Sequence, residues 1–224
     1  MDRNFQGNFC RAFDVVDHGI LLSKLHHYGV RGLPNAWLRS YLSSRQQCVV
    51  LDGKFTSSTL PVTHGVPQGS VIGSLLFLVF INDLPNCTEF FKMILFADDS
   101  TLACRIPRLD VDSSIAIVNS ELTSVQHWLN TNKMKLNIEK TKYVLFSYRS
   151  RQVSSNIRIG DGIIERVPHT KFLGAVIDEN LNFKHHVSML ASNLSKTVGI
   201  LKKINMFIPK DILIKLYYLS LIHI

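Results

Sequence analysis

The stretch that decides the fold is Lys92-Met93-Ile94-Leu95-Phe96-Ala97-Asp98-Asp99-Ser100-Thr101-Leu102-Ala103-Cys104. It consists of two short apolar runs joined by two adjacent carboxylates, Asp98 and Asp99. β-Branched and aromatic residues on both sides of a tight connection predict a β-hairpin whose tip carries the two aspartates. Two like charges at one tip repel each other, and a divalent cation with oxygen ligands, such as Mg²⁺, would remove that penalty. A solvated Asp-Asp turn is the alternative, because aspartate is a common turn former.

The composition indicates a folded protein with an uneven charge. At 224 residues, with 46% hydrophobic and 19% charged residues, the chain has enough apolar material for a core and suits one large domain or slightly more. The formal net charge of +8 arises beyond Asp99, because acidic and basic residues balance up to that point. A basic half beside a neutral half indicates a polyanion bound along one part of the fold, and a generally soluble basic surface is the alternative.

Neither the cysteines nor the apolar segments indicate export or a membrane. The cysteines are irregularly spaced, which favours free thiols in a reducing compartment: Cys10, Cys48, Cys87 and Cys104. Residues 1–11 are polar, and the longest apolar run, Val71–Ile81, is shorter than the roughly 20 residues of a membrane span. We therefore expect an intracellular protein, in the nucleus or cytoplasm, that is neither secreted nor bound to a membrane.

Before the carboxylate hairpin, the sequence predicts helices and one further hairpin. Apolar spacing predicts a helix that stops at Gly29 and a second helix that Pro34 opens. Asp52-Gly53 between two β-rich runs predicts a hairpin. The glycine-bracketed loop from His64 to Ser70 leads into an apolar helix from Val71 to about Asn82. Such a loop either brings the backbone close to a ligand or forms an ordinary turn.

After the carboxylate hairpin, a long helix is followed by short strands and then by basic helices. The helix through Ile115–Leu129 is expected to pack on the back of a sheet. The predicted strand regions are Lys142–Ser147, the hairpin Ile157–Ile164 and the strand Lys171–Ile177. The predicted final helices are His185–Ile204 and Lys210–Ile224. Strands followed by helices indicate an α+β fold with a helical appendage.

The order of these segments resembles the reverse transcriptase of non-LTR (LINE-type) retrotransposons, close to the jockey-like group. Five stretches resemble the family's motifs A to D and its primer grip, in this order: Ala12-Phe13-Asp14-Val15-Val16-Asp17-His18, Gly65-Val66-Pro67-Gln68-Gly69-Ser70, Phe96-Ala97-Asp98-Asp99, Trp128-Leu129 through Lys140-Thr141-Lys142, and Lys171-Phe172-Leu173-Gly174. Between motifs B and C, Ile81-Asn82-Asp83-Leu84-Pro85 is also similar to the family. The matched stretches cover nearly all of the chain.

The resemblance implies an α+β fold of the right-hand polymerase type. Residues 1–178 would form the palm, an antiparallel sheet backed by helices, and residues 179–224 the helical and basic start of the thumb. The family's fingers segment, which precedes motif A, is expected to be missing. The chain is therefore similar to a truncated copy of an element's reading frame.

The activity that the resemblance implies is RNA-directed DNA synthesis, in which a primer 3′-hydroxyl attacks the α-phosphate of a dNTP. Two Mg²⁺ ions, with Mn²⁺ possible, are the implied cofactors, and Asp98 and Asp99 are the implied catalytic metal ligands. The implied partners are an RNA template, a DNA primer and dNTP. The sequence does not indicate an oligomeric state.

Other matched positions have an implied role beside a structural alternative. Phe13 would exclude a ribose 2′-hydroxyl, or would simply pack in the core. Gln68 and Gly69 would contact the incoming nucleotide and template, or only form a loop. Lys140 would donate a proton to pyrophosphate, or lie on a solvated face. The residues that would position the primer end, or form a buried hairpin, are Phe172, Leu173 and Gly174.

One family position departs from the pattern. Motif A normally has an aspartate four residues before its alanine, and here that position, the third metal ligand, is Asn8. An amide oxygen can coordinate a cation but adds no charge, so metal affinity and transition-state neutralisation should fall. Asp14 and Asp17 match other family positions and are not predicted to replace it. We therefore expect weak or absent polymerase activity, the alternative being a non-catalytic retrotransposon remnant with residual nucleic-acid binding.

Overall fold

A computed structural model describes residues 2–8, 12–53, 55–105, 111–146 and 155–222. Cys10, the predicted strand end at Ser147 and the predicted helix end at Ile224 lie outside these residues. For strand residues 2–8, the description is of the backbone.

The described residues form short strands and longer helices. The strands are β1 (Asp2–Asn8), β2 (Gln46–Gln47), β3 (Val50–Leu51), β4 (Phe55–Thr56), β5 (Leu60–Pro61), β6 (Lys92–Phe96), β7 (Asp99–Arg105), β8 (Lys142–Leu145), β9 (Ile157–Ile159), β10 (Gly162–Arg166), β11 (His169–Phe172) and β12 (Ala175–Asp178). The helices are α1 (His18–His27), α2 (Leu33–Leu42), α3 (Val71–Ile81), α4 (Val111–Thr131), α5 (Lys184–Ile204) and α6 (Lys210–Ile222), with 3₁₀ turns at Ala12–Asp14 and Leu84–Cys87.

A six-stranded sheet forms the centre of the molecule, in the order β6-β7-β1-β8-β10-β9. Adjacent strands are antiparallel except β8 and β10, which are parallel. Because β1 lies between β7 and β8, the first strand of the chain joins the carboxylate hairpin to the later strands. The predicted α+β class is confirmed, with a largely antiparallel sheet.

Helices cover this sheet through the apolar faces that the sequence predicted. α4 packs against β9 and buries Ile115, Val118 and Leu122, which recur at helical spacing. α1 packs against both α2 and α3, and α3 buries Phe77 and Phe80 completely. Residues from the sheet and the helices form one hydrophobic core.

A half-buried lysine, Lys24, ties α1 to the end of α3. The Lys24 ammonium donates to the Phe80 carbonyl oxygen at 2.7 Å and to Asp83 Oδ1 at 2.6 Å. It also lies 4.8 Å from the ring centroids of Phe80 and Trp128. Burial lowers the pKa of Lys24, while its contact with Asp83 opposes that change. Lys24 thereby links α1 to α3, the two helices that directly follow residues 12–17 and the 64–70 loop.

Two predicted hairpins are confirmed and one predicted strand is wrong. Asp52 and Gly53 follow β3 in the hairpin β3–β4, and Gly160-Asp161 connects β9 to β10. The predicted single strand Lys171–Ile177 is instead the turn region of the hairpin β11–β12. Leu173 and Gly174 have φ of 45° and 93°, as the central residues of a type I′ turn require, and they reverse the chain. Because apolar residues lie on both sides of Gly174, the sequence pattern indicated a continuous strand rather than this reversal.

Two cysteines of the described part, Cys48 and Cys87, carry free thiols. Burial raises the pKa of the Cys87 thiol. Within the same residues, every helix is too short or too polar to cross a bilayer.

Candidate active site

The carboxylate hairpin is a tight connection between β6 and β7. Phe96 pairs with Asp99, so the connection consists of Ala97 and Asp98, and Asp99 is the first residue of β7. Ala97 has φ of 51°, a left-handed conformation that is uncommon for a residue with a side chain. Both aspartates are half-buried. The predicted hairpin is confirmed, with Asp98 rather than both aspartates in the connection itself.

The pairing of β1 with β7 brings the third predicted metal position to this hairpin. Asn8 is the residue paired with Asp99, at the end of a seven-residue register that starts with Asp2 and Arg105. The backbone of Asn8 therefore lies directly beside the hairpin that carries Asp98. Sequence positions about 90 residues apart meet here because β1 is inserted beside β7.

The chemistry of these donors suits a hard divalent cation but supplies limited charge. Asp98 and Asp99 provide carboxylate oxygens, the ligand type that Mg²⁺ and Mn²⁺ prefer. Within the described side chains, no group of three or more histidine, cysteine, aspartate or glutamate residues is placed to hold a metal ion. Asp98 and Asp99 can therefore bind such an ion, but they supply two carboxylates rather than three.

Residues 12–18 are held against the 64–69 loop by a short ladder of hydrogen bonds. The Gly65 N–H donates to the Val16 carbonyl at 2.8 Å, and the Val66 N–H donates to the Phe13 carbonyl at 2.8 Å. His18 Nε2 lies 2.7 Å from the Gly65 carbonyl oxygen and donates to it. A Cβ on Gly65 would lie 2.8 Å from the Asp14 carbonyl oxygen, and its φ is 86°. Only glycine fits this contact without displacing the backbone.

Phe13 lies between this ladder and the core. Its ring is half-buried, and its centroid is 4.5 Å from that of Phe77 on α3. Phe13 therefore packs against the core, as the structural alternative predicted, while part of the residue stays exposed.

Gln68 and Gly69 are both exposed at the end of the loop. Gln68 Nε2 donates to Asp14 Oδ1 at 3.0 Å. Gly69 has φ of 82°, and Ser70 follows it as the N-cap of α3, accepting from the Gly73 N–H at 2.9 Å. A Cβ on Gly73 would lie 2.2 Å from the Pro67 carbonyl oxygen, so the helix start is packed tightly on the loop.

The two other carboxylates of residues 12–18 have partners of their own. Asp14 accepts from Gln68, and Asp17 Oδ1 accepts from the Ile20 N–H at 2.9 Å as the N-cap of α1. Asp17 Oδ2 accepts from Lys133 Nζ at 2.8 Å, and this hydrogen bond lowers the pKa of Asp17. Both carboxylates are therefore engaged in hydrogen bonds within the chain. Lys133 was not identified from the sequence, because no local pattern indicates a contact between residues that are 116 positions apart.

The remaining predicted residues lie on other elements. Lys140 is exposed in the turn between α4 and β8, where its N–H donates to Asn137 Oδ1 at 3.2 Å. Phe172, Leu173 and Gly174 are at the turn of β11–β12, a separate two-stranded hairpin outside the six-stranded sheet. Leu173 is 48% exposed, so a fully buried hairpin does not describe it.

Asp178, at the end of β12, organises the start of α5. Its carboxylate is buried and accepts from the N–H groups of Asn180, Asn182 and Phe183 at 3.1, 3.3 and 2.8 Å. Burial alone would raise the pKa of Asp178, but these hydrogen bonds together hold it below its usual value.

Comparisons of the sequence identify related proteins. The family model described as reverse transcriptase (RNA-dependent DNA polymerase) matches residues 9–177. The chain is 29% identical over 187 residues to the RNA-directed DNA polymerase from mobile element jockey of Drosophila melanogaster, covering 80% of this chain and 20% of that protein. It is also 29% identical over 195 residues to the probable RNA-directed DNA polymerase from transposon X-element of the same organism, covering 84% and 21%. The chain thus spans about one fifth of the length of these relatives.

Solved structures resemble the fold. Telomerase from Candida albicans, in complex with a fragment of telomeric RNA, aligns with a TM-score of 0.55 at 14% identity, over 80% of this chain and 31% of that one. Apo telomerase from Candida tropicalis, truncated from its C-terminal domain, aligns with a TM-score of 0.52 at 14% identity, over 81% and 35%. At these identities, the likeness concerns the fold alone.

Proposed function

The chain belongs to the reverse transcriptase (RNA-dependent DNA polymerase) family, and from that premise we propose that it is the palm region of an RNA-directed DNA polymerase of the jockey-like, non-LTR type. Residues 1–178 form the palm in this proposal, and residues 179–224 the start of a thumb. The six-stranded sheet with helices packed on it supports the first assignment, and the exposed lysines of α5 and α6 support the second.

In the proposed reaction, the chain's residues bind the substrates and the cation for nucleotidyl transfer. Asp98 and Asp99 hold Mg²⁺ or Mn²⁺, and Asn8 occupies the third, degenerate position. The cation, when bound, supplies the positive charge that neutralises the phosphate oxygens during transfer from dNTP to a primer 3′-hydroxyl. The hairpin fixes the backbone of Asp99 at the start of β7, next to the connection that carries Asp98.

The remaining residues bind nucleotide and primer in this proposal. Phe13, supported from behind by Phe77, excludes a ribose 2′-hydroxyl. Gln68 and Gly69 contact the incoming nucleotide and template, and Lys140 donates a proton to the departing pyrophosphate. The primer end rests on the exposed turn formed by Phe172, Leu173 and Gly174.

We further propose that polymerase activity is weak or absent in this chain. One observation carries this: the residue opposite Asp99 in the β1–β7 register is Asn8, a neutral amide where the family has a carboxylate. Compared with a site that has a third carboxylate, this site supplies about one unit of negative charge less to a bound cation. The cation should therefore bind more weakly and stabilise the transition state less.

Cation binding tests this proposal directly. Mn²⁺ affinity, measured by electron paramagnetic resonance, is compared among the unmodified chain, Asn8→Asp and Asp98→Ala, with Asp161→Ala in an exposed turn as the matched control. Asn8→Asp should bind Mn²⁺ several-fold more tightly, Asp98→Ala should lose binding, and Asp161→Ala should change nothing. Equal affinity in the unmodified and Asp98→Ala chains would contradict the assigned site.

Residual nucleic-acid binding without catalysis is the second candidate, and one charge pattern favours it. Helices α5 and α6 expose Lys184, Lys196, Lys202, Lys203, Lys210 and Lys215, against a single acidic residue, Asp211. Such a basic surface suits binding to the phosphate backbone of an RNA template and a DNA primer. In this proposal, the chain meets these nucleic acids in the nucleus or cytoplasm.

Binding to a labelled primer–template at increasing salt tests this second candidate. Affinity should fall steeply with salt, because phosphate contacts release counterions. Lys202→Gln with Lys203→Gln should reduce that salt dependence, whereas Lys92→Gln, at the end of β6 away from the hairpin turn, should not. A chain that fails to bind at low salt would contradict this function.

A further inference from the structure

The side chain of Gln68 has a fixed partner on the segment that precedes α1. Its Nε2 donates to Asp14 Oδ1 at 3.0 Å, although the two residues are 54 positions apart. The two segments approach so closely that a Cβ on Gly65 would meet the Asp14 carbonyl oxygen at 2.8 Å. Asp14 therefore contacts the loop twice: its backbone against Gly65 and its carboxylate against Gln68.

The loop is anchored before Gln68 and again after Gly69. Before it, the Gly65 and Val66 N–H groups donate to residues 12–18, and after it Ser70 caps α3. Gly69 has φ of 82°, with open space where a Cβ would be. The exposed Gln68 side chain therefore depends on Asp14 for a defined orientation.

We propose that Asp14 is a positioning residue that sets which end of the Gln68 amide faces the incoming nucleotide. An amide has one donating and one accepting end. Because Asp14 accepts from Nε2, the carbonyl oxygen Oε1 is the group presented to a ligand, and it suits a hydroxyl or amino donor of a nucleoside triphosphate. The ligand named here rests on the proposed function, whereas the orientation of Gln68 does not.

A double-mutant cycle separates this role from a merely structural one. Binding of a fluorescent N-methylanthraniloyl dATP is measured for the unmodified chain, Asp14→Ala, Gln68→Ala and the double variant. These changes leave the Gly65 backbone contacts in place. Each single change should weaken binding by about two- to tenfold, the range for one hydrogen bond. The double variant should bind no more weakly than Gln68→Ala, and Asp14→Asn, which keeps an acceptor oxygen, should restore most of the affinity.

Additive losses in the cycle, or an Asp14→Ala variant that binds like the unmodified chain, would overturn the inference. A second measurement does not require nucleotide binding: the side-chain amide resonance of Gln68 should shift on Asp14→Ala and stay unchanged on Asp161→Ala. A shift without any nucleotide binding would contradict the proposed function while supporting the orientation of Gln68 by Asp14. An unchanged resonance would overturn the inference itself.

Discussion

Asn8, the last residue of β1, is paired with Asp99, the first residue of β7, next to the connection that carries Asp98. We propose that this neutral amide takes the place of the aspartate that the family has in motif A. The pairing is set by a seven-residue antiparallel register, and a shift by one residue would turn every β1 side chain to the other face of the sheet. In that proposal, the amide lowers the negative charge beside the hairpin while the register of β1 with β7 is kept.

Two helical glycines should respond in opposite ways to alanine. In Gly73→Ala the new Cβ would lie 2.2 Å from the Pro67 carbonyl oxygen, so we expect a loss of roughly 1–3 kcal/mol in the free energy of unfolding. Gly199 on α5 has open space around its Cα, and Gly199→Ala should gain about 0.5–1 kcal/mol through helix propensity. Urea unfolding measures both. Equal effects of the two substitutions would show that the contact between loop and helix is not tight.

The buried carboxylate of Asp178 should make stability depend on acid. The pKa of Asp178 is lower in the folded protein than in the unfolded chain, where it is about 3.9. The stabilisation by its carboxylate is therefore complete above the pKa of the unfolded chain, and it is lost as the pH falls through the pKa of the folded protein. Asp178→Asn should cost roughly 2 kcal/mol near pH 7, because an amide nitrogen cannot accept the Phe183 N–H. The difference between the two proteins, measured by urea unfolding, should shrink below about pH 4. A difference that stays constant with pH would contradict this role.

Asp17 should contribute more to stability than its ion-pair partner. Asp17→Ala removes both the N-cap of α1 and the contact with Lys133, and we expect a loss of about 1–2 kcal/mol. Lys133→Met removes only the exposed ion pair and should cost at most about 1 kcal/mol. Chemical unfolding of both variants, with Lys135→Met as the control, tests the order. A larger loss for Lys133→Met would refute the capping role.

The residue after Asp99 carries a hydroxyl whose removal should be tolerated. Ser100 Oγ is buried without a hydrogen-bond partner among the described residues, and it lines an apolar cavity of about 30 Å³. Ser100→Ala should therefore leave stability unchanged or raise it by about 1 kcal/mol. Thr141 lines the same cavity but donates to the Asn137 carbonyl oxygen at 2.7 Å, so Thr141→Val should cost about 1 kcal/mol. Thermal unfolding compares them, and a marked loss in Ser100→Ala would contradict this account.

Local chemistry explains which parts of the fold were predictable. The carboxylate hairpin, the Asp52-Gly53 turn and the helices were visible because turn residues and apolar periodicity act over a few positions. The family resemblance, based on ordered motifs, is confirmed, as is the α+β class. The turn at Leu173 was missed because leucine rarely adopts a positive φ and interrupts no apolar run.

Long-range pairings were not predictable from local pattern. Nothing in the sequence shows that β1 inserts between β7 and β8, or that Lys133 meets Asp17. The hydrogen bond from Gln68 to Asp14 likewise depends on how two loops are brought together by the core. The roles of Phe13, Lys140 and the Leu173 turn toward substrates stay predictions, because they concern contacts with nucleotide and primer rather than contacts within the chain.

Primer extension on an RNA template with Mg²⁺ or Mn²⁺ tests the central claim most directly. The unmodified chain is compared with Asn8→Asp, with Asn8→Asp carrying Asp98→Ala, and with Asn86→Asp, which adds the same charge at an exposed position away from the hairpin. We expect Asn8→Asp to extend the primer roughly 100-fold or more faster than the unmodified chain. Asp98→Ala should abolish this gain, and Asn86→Asp should not reproduce it. Extension by the unmodified chain as fast as by Asn8→Asp would show that Asn8 does not limit polymerase activity.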